Sequence, residues 1–226
     1  LELQHNQEQL LLNIGCTDSL NIAVFVPLYD KILMNYPHLD LSIQSHHSSE
    51  LYGMLSEHNI DIGFVYHQLH YKNIISEKLF EEKLYLVQSE HPTVEKPIVH
   101  TDELDPTKEL FLSWDDNFQI WHDRWLSSVS RPHISADTIT LLDRLWKNAD
   151  TWMIAPESVI HELSRYRKVY VSELKNPAPN RICYKIKHKY PKTTSKRAVE
   201  LFEEILEQLL HLERKEIPIG EIWGGQ

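Results

Sequence analysis

The side chains best suited to chemistry in this sequence of 226 residues are two cysteines and 14 histidines. Cys16 lies between a short apolar segment and residues that favour a helix start, where the pKa of a thiol can fall, but no partner histidine is recognisable. The adjacent His46 and His47, and the pair His67 and His70, lack the cysteine or glutamate spacing of zinc sites. We therefore predict no catalytic residue, no metal site and no cofactor, and the sequence leaves open whether any histidine binds a metal ion.

A second group of side chains lies where predicted strands end and helices begin. Helix N-termini and hydroxyl groups at such positions are suited to a small polar molecule, above all an anion. The same residue types are common helix caps, and this alternative remains open. The candidate ligand-binding residues are Thr17, Ser19, His46, His47, Ser48, Tyr66, Trp114, Thr138 and Pro156.

Trp114 would set the specificity of such a site. Trp121 and Trp125 follow at helical spacing and are expected in the core, whereas Trp114 comes directly before a predicted helix start. An indole there would cover the apolar face of a ligand and donate its N–H, and protonated His46 and His47 would add positive charge. We therefore expect a small organic anion, such as a carboxylate or an amino-acid-like metabolite.

The elements that position these residues form two consecutive series. Strands predicted at residues 11–15, 39–43 and 60–66 alternate with helices that begin near Asp18 and Ser48, which gives an open α/β sheet. Pro27 fits the first helix only if its early turns are irregular. Ligands bind outside the carboxyl ends of the strands in such sheets.

The second series follows a proline-rich loop at residues 93–108. Its strands are predicted at 110–114, 133–136 and 152–155, with helices capped by Asp115 or Asp116 and by Asp137. Closing strands at 169–171 and 182–186 precede a long amphipathic helix at 193–212. The sequence therefore predicts an α/β protein with two subdomains.

The overall charge restricts the partners of this chain. Asp and Glu number 33 against 23 Lys and Arg, which gives a formal net charge of −10 and disfavours direct binding to DNA or to an anionic membrane. No apolar run is long enough to span a membrane, and no signal peptide is visible at the polar start. The first residue is not Met, so we expect a preceding segment.

Several short elements of the first 92 residues share a characteristic order and spacing: residues 12–15 (Leu-Asn-Ile-Gly), Ser19, 26–28 (Val-Pro-Leu), 36–37 (Tyr-Pro), 39–43, 48–51 (Ser-Ser-Glu-Leu), 60–63 (Ile-Asp-Ile-Gly) and 91–92 (His-Pro). Their order and spacing resemble the effector-binding domain of LysR-type transcriptional regulators. In the second half, Asp137-Thr138 before an apolar helix and the segment 153–156 fit the same family, whereas Asn148 to Asp150 and His46-His47 stand where the family often has glycines.

The resemblance implies a fold and a function. The fold would be two α/β subdomains of the periplasmic-binding-protein type II with a central cleft, and Ser19 would contact a small effector there. Residues 1–10 would end a linker helix, 11–88 and 189–212 would form subdomain I, 89–188 subdomain II, and 213–226 a C-terminal tail. A winged helix-turn-helix domain before Leu1 would bind the DNA, and the protein would be a cytoplasmic homodimer or homotetramer without enzymatic activity.

Two other functions remain open at this point. An extracytoplasmic solute-binding protein of a transporter shares the fold, and a signal or lipobox upstream of Leu1 would identify it. An enzyme on the same scaffold, such as a prephenate dehydratase-like or deaminase-like protein, would need a convergent acid, base or nucleophile set, and the sequence offers none.

Overall fold

The computed structural model describes residues 9–89, 91–126, 131–212 and 217–223. Two compact units divide the chain: the first comprises Leu1–Leu79 and Cys183–Arg214, and the second comprises Phe80–Ile182 and Lys215–Gln226. The chain therefore leaves the first unit about ten residues before the predicted boundary at 88 and returns to it before the predicted boundary at 188.

The described elements alternate as the sequence predicts. In chain order the strands are β1 (Leu10–Cys16), β2 (Leu39–Ser45), β3 (Ile62–Val65), β4 (Ile74–Glu82), β5 (Leu84–Ser89), β6 (Ile98–Val99), β7 (Leu110–Phe111), β8 (Ile134–Ser135), β9 (Trp152–Pro156), β10 (Val169–Leu174), β11 (Arg181–His188) and β12 (Gly220–Ile222). The α-helices are α1 (Asp18–Leu20), α2 (Val26–Asn35), α3 (Ser48–Ser56), α4 (Asp116–Trp125), α5 (Ile139–Leu145), α6 (Glu157–Ser164) and α7 (Thr193–Leu212).

The first unit is built on a sheet in the order β2-β1-β3-β11-β4. Strand β1 pairs parallel with both β2 and β3, and β11 runs antiparallel to β3. Ile14 lies opposite Ile43 and Ile62, so the carboxyl ends of these parallel strands meet at one edge. A side chain at Gly15 would collide with Leu51, because a Cβ there would lie 2.5 Å from Leu51 Cδ2.

The segment after β1 is helical but irregular, as Pro27 predicts. The short α1 is followed by a π-helical turn over Asn21–Phe25, and α2 begins only at Val26. Pro27 therefore lies in the first turn of α2, where its missing N–H leaves no hydrogen bond unmade. Leu28 and Ile32 of α2 are fully buried.

The second unit has a mixed sheet rather than a second parallel series. Strand β5 lies between β9 and β10 and runs antiparallel to both, and β12 and β6 pair with β10. Strands β7 and β8 pair parallel, and a parallel bridge between Glu109 and Trp152 places β7 beside β9. The predicted strand at 110–114 is shorter than expected and ends at Phe111.

Three local predictions need correction. Helix α5 has Thr138 rather than Asp137 at its N-cap, whereas α3 begins at Ser48 as predicted, with His47 as its N-cap residue. Residues 217–223 of the predicted C-terminal tail include β12, because Val169 of β10 pairs with Ile222. Residues 1–8 of the predicted linker helix and residues 213–216 and 224–226 lie outside the described part of the chain, and Leu10 already belongs to β1. Within the described part, no helix is both long and apolar enough to cross a membrane.

Candidate functional site

The candidates of the first unit lie together at the carboxyl edge of its parallel strands. Strands β1 and β2 end opposite each other at Cys16 and Ser45, and Cys16 also lies opposite Phe64 of β3. The residues that directly follow these strands therefore share one edge of the sheet. We call them the carboxyl-edge cluster: Thr17, Ser19, His46, His47, Ser48 and Tyr66.

The hydroxyl groups of Thr17 and Ser19 lie next to each other. Their Oγ1 and Oγ atoms are 3.4 Å apart, and Ser19 is only 6% exposed. Thr17 is the N-cap residue of α1, yet its side chain makes no capping hydrogen bond. The capping alternative therefore does not describe the Thr17 hydroxyl.

The two histidines of the cluster share a carboxylate. The backbone N–H of His46 donates to the carbonyl oxygen of Cys16 at 3.0 Å, which joins the ends of β1 and β2. Glu50 Oε2 lies 3.4 Å from His46 Nδ1 and also accepts the backbone N–H of His47 at 3.3 Å. Glu50 therefore offsets part of the positive charge that protonated His46 would bring to the edge.

Ser48 joins α3 to the end of β3. Its Oγ accepts the backbone N–H of Tyr66 at 3.0 Å, and the Tyr66 side chain is buried. This bond holds Ser48 and Tyr66 beside each other. The predicted contact of both residues with a ligand stays a prediction.

A partly buried hydrogen-bond network beneath the cluster was not predicted from the sequence. Asn21 Oδ1 accepts from the Cys16 thiol at 2.7 Å and from the Tyr29 hydroxyl at 2.8 Å, and Asn21 Nδ2 donates to Ser45 Oγ at 2.7 Å. Asn21 thus ties both strand ends to α2. In the sequence, the only indication of this network was Pro27, which predicts irregular turns at the start of the helix. Asn21 is the first residue of the resulting π-helical turn.

Burial fixes the protonation of two members of this network. It raises the pKa of the Cys16 thiol and that of the Tyr29 phenol well above their usual ranges. The expectation that a helix start could lower the pKa of Cys16 is therefore wrong, because loss of solvent outweighs it. Both groups stay protonated donors to Asn21 at neutral pH.

Trp114, the candidate that follows β7, lies in the core of the second unit. It is 4% exposed, and its indole N–H donates to the carbonyl oxygen of Ile154 at 2.6 Å. The Arg181 guanidinium lies 4.9 Å from the centre of the indole, and its Nη2 donates to the Trp114 carbonyl oxygen at 3.2 Å. The expected donation of this N–H to a ligand must be corrected, because the strand β9 already accepts it.

The other two candidates of the second unit have structural roles as well. Thr138 Oγ1 accepts the backbone N–H of Leu141 at 3.3 Å and so caps α5. Pro156 is buried at the N-cap position of α6. Their contact with a ligand stays a prediction.

Across residues 9–89, 91–126, 131–212 and 217–223, no group of three or more His, Cys, Asp or Glu side chains is placed to hold a metal ion. The carboxyl-edge cluster contains hydroxyl and imidazole groups, which are suited to binding a polar molecule by hydrogen bonds.

Several known proteins are similar to this chain. The HTH-type transcriptional regulator CzcR of Bacillus anthracis is 22% identical over 163 residues, which cover 71% of this chain and 54% of that protein. The chain thus spans about half the length of the curated relative it matches.

Two solved structures share the fold at low sequence identity. The reduced form of the OxyR regulatory domain from Pseudomonas aeruginosa has a TM-score of 0.72 at 16% identity and covers 92% of this chain and 99% of its own. HinK, a LysR family transcriptional regulator from Pseudomonas aeruginosa, has a TM-score of 0.68 at 17% identity. The match covers 90% of this chain and 72% of the HinK chain. These matches confirm the predicted α/β class.

The family comparison covers nearly the whole chain. The model of the LysR substrate binding domain matches residues 5–210, which include every strand from β1 to β11 and the carboxyl-edge cluster. This chain belongs to the LysR substrate binding domain family.

Proposed function

We propose that this chain is the ligand-sensing domain of a bacterial LysR-type transcriptional regulator. The observation that carries the proposal is the family match over residues 5–210. The domain would bind a small effector and, through a difference in effector affinity between two conformations, change how the full protein acts on DNA. The domain itself would not be an enzyme.

The carboxyl-edge cluster is the proposed effector site. The Thr17 and Ser19 hydroxyls lie 3.4 Å apart at the start of a helical segment, and the backbone N–H of His46 donates to the carbonyl oxygen of Cys16, the residue before Thr17. Hydroxyl groups, backbone N–H groups and an imidazole suit the carboxylate of a small organic anion. Ser19 is the residue we expect to contribute most.

The charge of the chain supports a division of the protein into a domain that binds the effector and a separate domain that binds DNA. With a net charge of −10, this domain is poorly suited to contact DNA phosphates, so we propose that a winged helix-turn-helix domain before Leu1 does so. The full protein would be a cytoplasmic homodimer or homotetramer. An electrophoretic shift assay of this chain on random duplex at low salt should show no complex, and a salt-sensitive complex at micromolar protein would contradict this division.

A thermal-shift screen tests the proposed site. The probes are sodium salts of small monocarboxylates and dicarboxylates, amino acids and inorganic phosphate. We expect one of the organic anions to raise the melting temperature of the chain, since a ligand that binds only the folded state stabilises it. Ser19→Ala should then lower the affinity for that anion by tenfold to hundredfold. This loss corresponds to about 1.5–3 kcal/mol, the value of a hydrogen bond to a charged group.

Ser195→Ala is the matched control. Ser195 is 5% exposed, as buried as Ser19, and belongs to the same unit, but its Oγ donates to the carbonyl oxygen of Lys192. This variant should bind the anion like the wild type. Equal affinities in Ser19→Ala and wild type would contradict the site, and a signal or lipobox upstream of Leu1 would contradict the regulator.

A further inference from the structure

A further serine lies at the carboxyl edge of the first sheet, although the sequence did not single it out. Ser45 is the last residue of β2, and it lies opposite Cys16, the last residue of β1. The backbone N–H of His46 donates to the Cys16 carbonyl oxygen at 3.0 Å, which joins the two strand ends. Ser45 is exposed, so its hydroxyl group is open to a ligand that binds at this edge.

The amide of Asn21 fixes the direction of the hydrogen bonds behind Ser45. Its Oδ1 accepts from the Cys16 thiol at 2.7 Å and from the Tyr29 hydroxyl at 2.8 Å. Burial raises the pKa of both donors, so each keeps its proton at neutral pH and needs an acceptor for it. If the amide were rotated by half a turn, its NH₂ group would face these donors, and their sulfur and oxygen atoms, 3.9 Å apart, would have only each other as acceptors within the network. The amide oxygen therefore faces the buried donors, and the NH₂ group faces Ser45.

Ser45 is left with a proton to donate. Asn21 Nδ2 donates to Ser45 Oγ at 2.7 Å, so the hydroxyl group is the acceptor in this bond and its own hydrogen is not used. Among the residues that the structure describes, no second group bonds to this hydroxyl. A hydroxyl that accepts one hydrogen bond becomes a stronger donor in the next, and its remaining lone pair becomes a weaker acceptor, because successive bonds polarise one another.

We propose that Ser45 is an effector-binding residue that donates its hydroxyl proton to an oxygen acceptor of the effector, such as a carboxylate. Because the carboxyl-edge cluster is the proposed effector site, this role of Ser45 rests on that function. Neighbouring strands lie about 4.7–4.9 Å apart, so an anion bound by Thr17 and Ser19 after β1 also lies beside the end of β2. Ser45 therefore extends the proposed site from the end of one strand to the end of its neighbour.

The direction of this bond sets a preference among ligands. An acceptor without a proton of its own, such as a carboxylate oxygen, completes the series of hydrogen bonds that begins at the Cys16 and Tyr29 protons. An ammonium group at the same place brings a proton that only the weakened lone pair of Ser45 can accept. Ser45 therefore favours an anion over a cation of the same carbon skeleton, even though the net charge of −10 attracts cations to the chain.

Isothermal titration calorimetry of the full 226-residue chain tests this role. The probes are sodium acetate, propionate, succinate and glutarate, and the one that binds the wild type most tightly is titrated into the variants. We expect Ser45→Ala to lower its affinity by about tenfold, the loss of one hydrogen bond to a charged group, and Ser45→Thr, which keeps the hydroxyl, to stay within about threefold of the wild type. Ser42→Ala is the matched control and should bind like the wild type, because Ser42 belongs to the same strand but lies opposite Asn13, away from the strand ends.

The outcomes separate the role of Ser45 from the proposed effector site. If Ser19→Ala weakens binding of the anion but Ser45→Ala binds it like the wild type, the role of Ser45 is overturned while the effector site stands. The role is also overturned if Ser42→Ala loses as much affinity as Ser45→Ala, or if propylammonium chloride binds as tightly as sodium propionate. If no probe anion binds the wild type, the effector site and the role of Ser45 fall together. Recovery of affinity in Ser45→Thr would show that the loss in Ser45→Ala comes from the hydroxyl group and not from misfolding.

Discussion

At the carboxyl ends of β1 and β2, side chains bond to one another, whereas the candidate side chains that follow β7 and β8 bond to the backbone of their own unit. In the first unit, Asn21 joins Cys16, Tyr29 and Ser45, and Thr17 lies beside Ser19. In the second, Trp114 donates to a strand carbonyl and Thr138 caps a helix.

The difference shows what position at a strand end does and does not establish. It places a residue at the edge where ligands bind, but each polar group is available to a ligand only if the local backbone has not already engaged it. The Thr17 hydroxyl makes no capping bond, and the Trp114 N–H is already bonded. The first unit is therefore the better place to look for effector contacts.

The largest expected effect concerns Trp114. Trp114→Ala should lower the free energy of unfolding by about 3–5 kcal/mol, because it removes a buried ring and the N–H that Ile154 accepts. It also leaves the Arg181 guanidinium without the indole it lies against. Urea unfolding followed by circular dichroism measures the change.

Trp114→Phe separates the two contributions. It keeps an aromatic ring and loses the hydrogen bond to Ile154, so we expect a smaller loss of about 1–3 kcal/mol. If Trp114→Ala lowers the free energy of unfolding by less than about 1 kcal/mol and also weakens effector binding, Trp114 contacts the ligand after all.

The next effect concerns the charges that join α7 to the sheet of the first unit. Lys187 Nζ lies 2.8 Å and 2.9 Å from the two carboxylate oxygens of Glu203, and Lys185 contacts Glu203 and Glu77. Burial raises the pKa of Glu203, but the hydrogen bonds from both lysines outweigh it and hold that pKa below its usual range. Glu203→Gln should cost about 1–3 kcal/mol at pH 7.

The pH dependence has a defined sign. A carboxyl whose pKa is lowered by folding stabilises the protein above its unfolded pKa of about 4.3, and this contribution is lost as the pH falls through the folded pKa. The difference between wild type and Glu203→Gln should therefore shrink on acidification below about pH 4. Glu200→Gln is the control, since the Glu200 side chain is exposed and its Oε1 lies 3.9 Å from Lys196 Nζ. A constant difference down to pH 2.5 would contradict this account.

A smaller effect on the free energy of unfolding is expected from replacing the N-cap residues of α5 and α1, one in each unit. Thr138→Ala should cost about 1 kcal/mol because it removes the acceptor for the Leu141 N–H. Thr17→Ala should cost less than about 0.5 kcal/mol, since no capping bond is lost. Thermal melts of both variants test this order. Equal losses would mean that the difference between the two helix starts has no energetic weight.

Much of the fold could be predicted because hydrophobic periodicity is a local property. The predicted strands near 11–15, 39–43 and 152–155 and the helix at 193–212 are confirmed, and so is the irregular start that Pro27 demands. Strand β12 was missed, because its three residues become a strand only by pairing with β10, some fifty residues earlier.

The sequence predicted that the candidate residues of the first unit share one sheet edge, but it did not predict their hydrogen bonds. Gathering Thr17, His46 and Tyr66 at one edge follows from parallel strand order alone. The bond from Trp114 to Ile154 joins residues 40 positions apart, and no spacing rule reports it. The contacts of Asn21 likewise depend on how α2 packs against two strand ends.

The smallest expected effect concerns the thiols. Cys16 and Cys183 are both fully buried, and burial raises the pKa of Cys16, so neither should react with iodoacetamide in the folded protein at pH 8. Intact-mass spectrometry should find no adduct in buffer and two after unfolding in urea, with modification following the unfolding transition. Cys16→Ser should then take up one adduct in urea. An adduct that forms within minutes in buffer on the wild type, but not on Cys16→Ser, would mean that solvent reaches the network beneath the carboxyl-edge cluster. The hydrogen bonds that join the strand ends of the first unit would then not exclude solvent from Cys16.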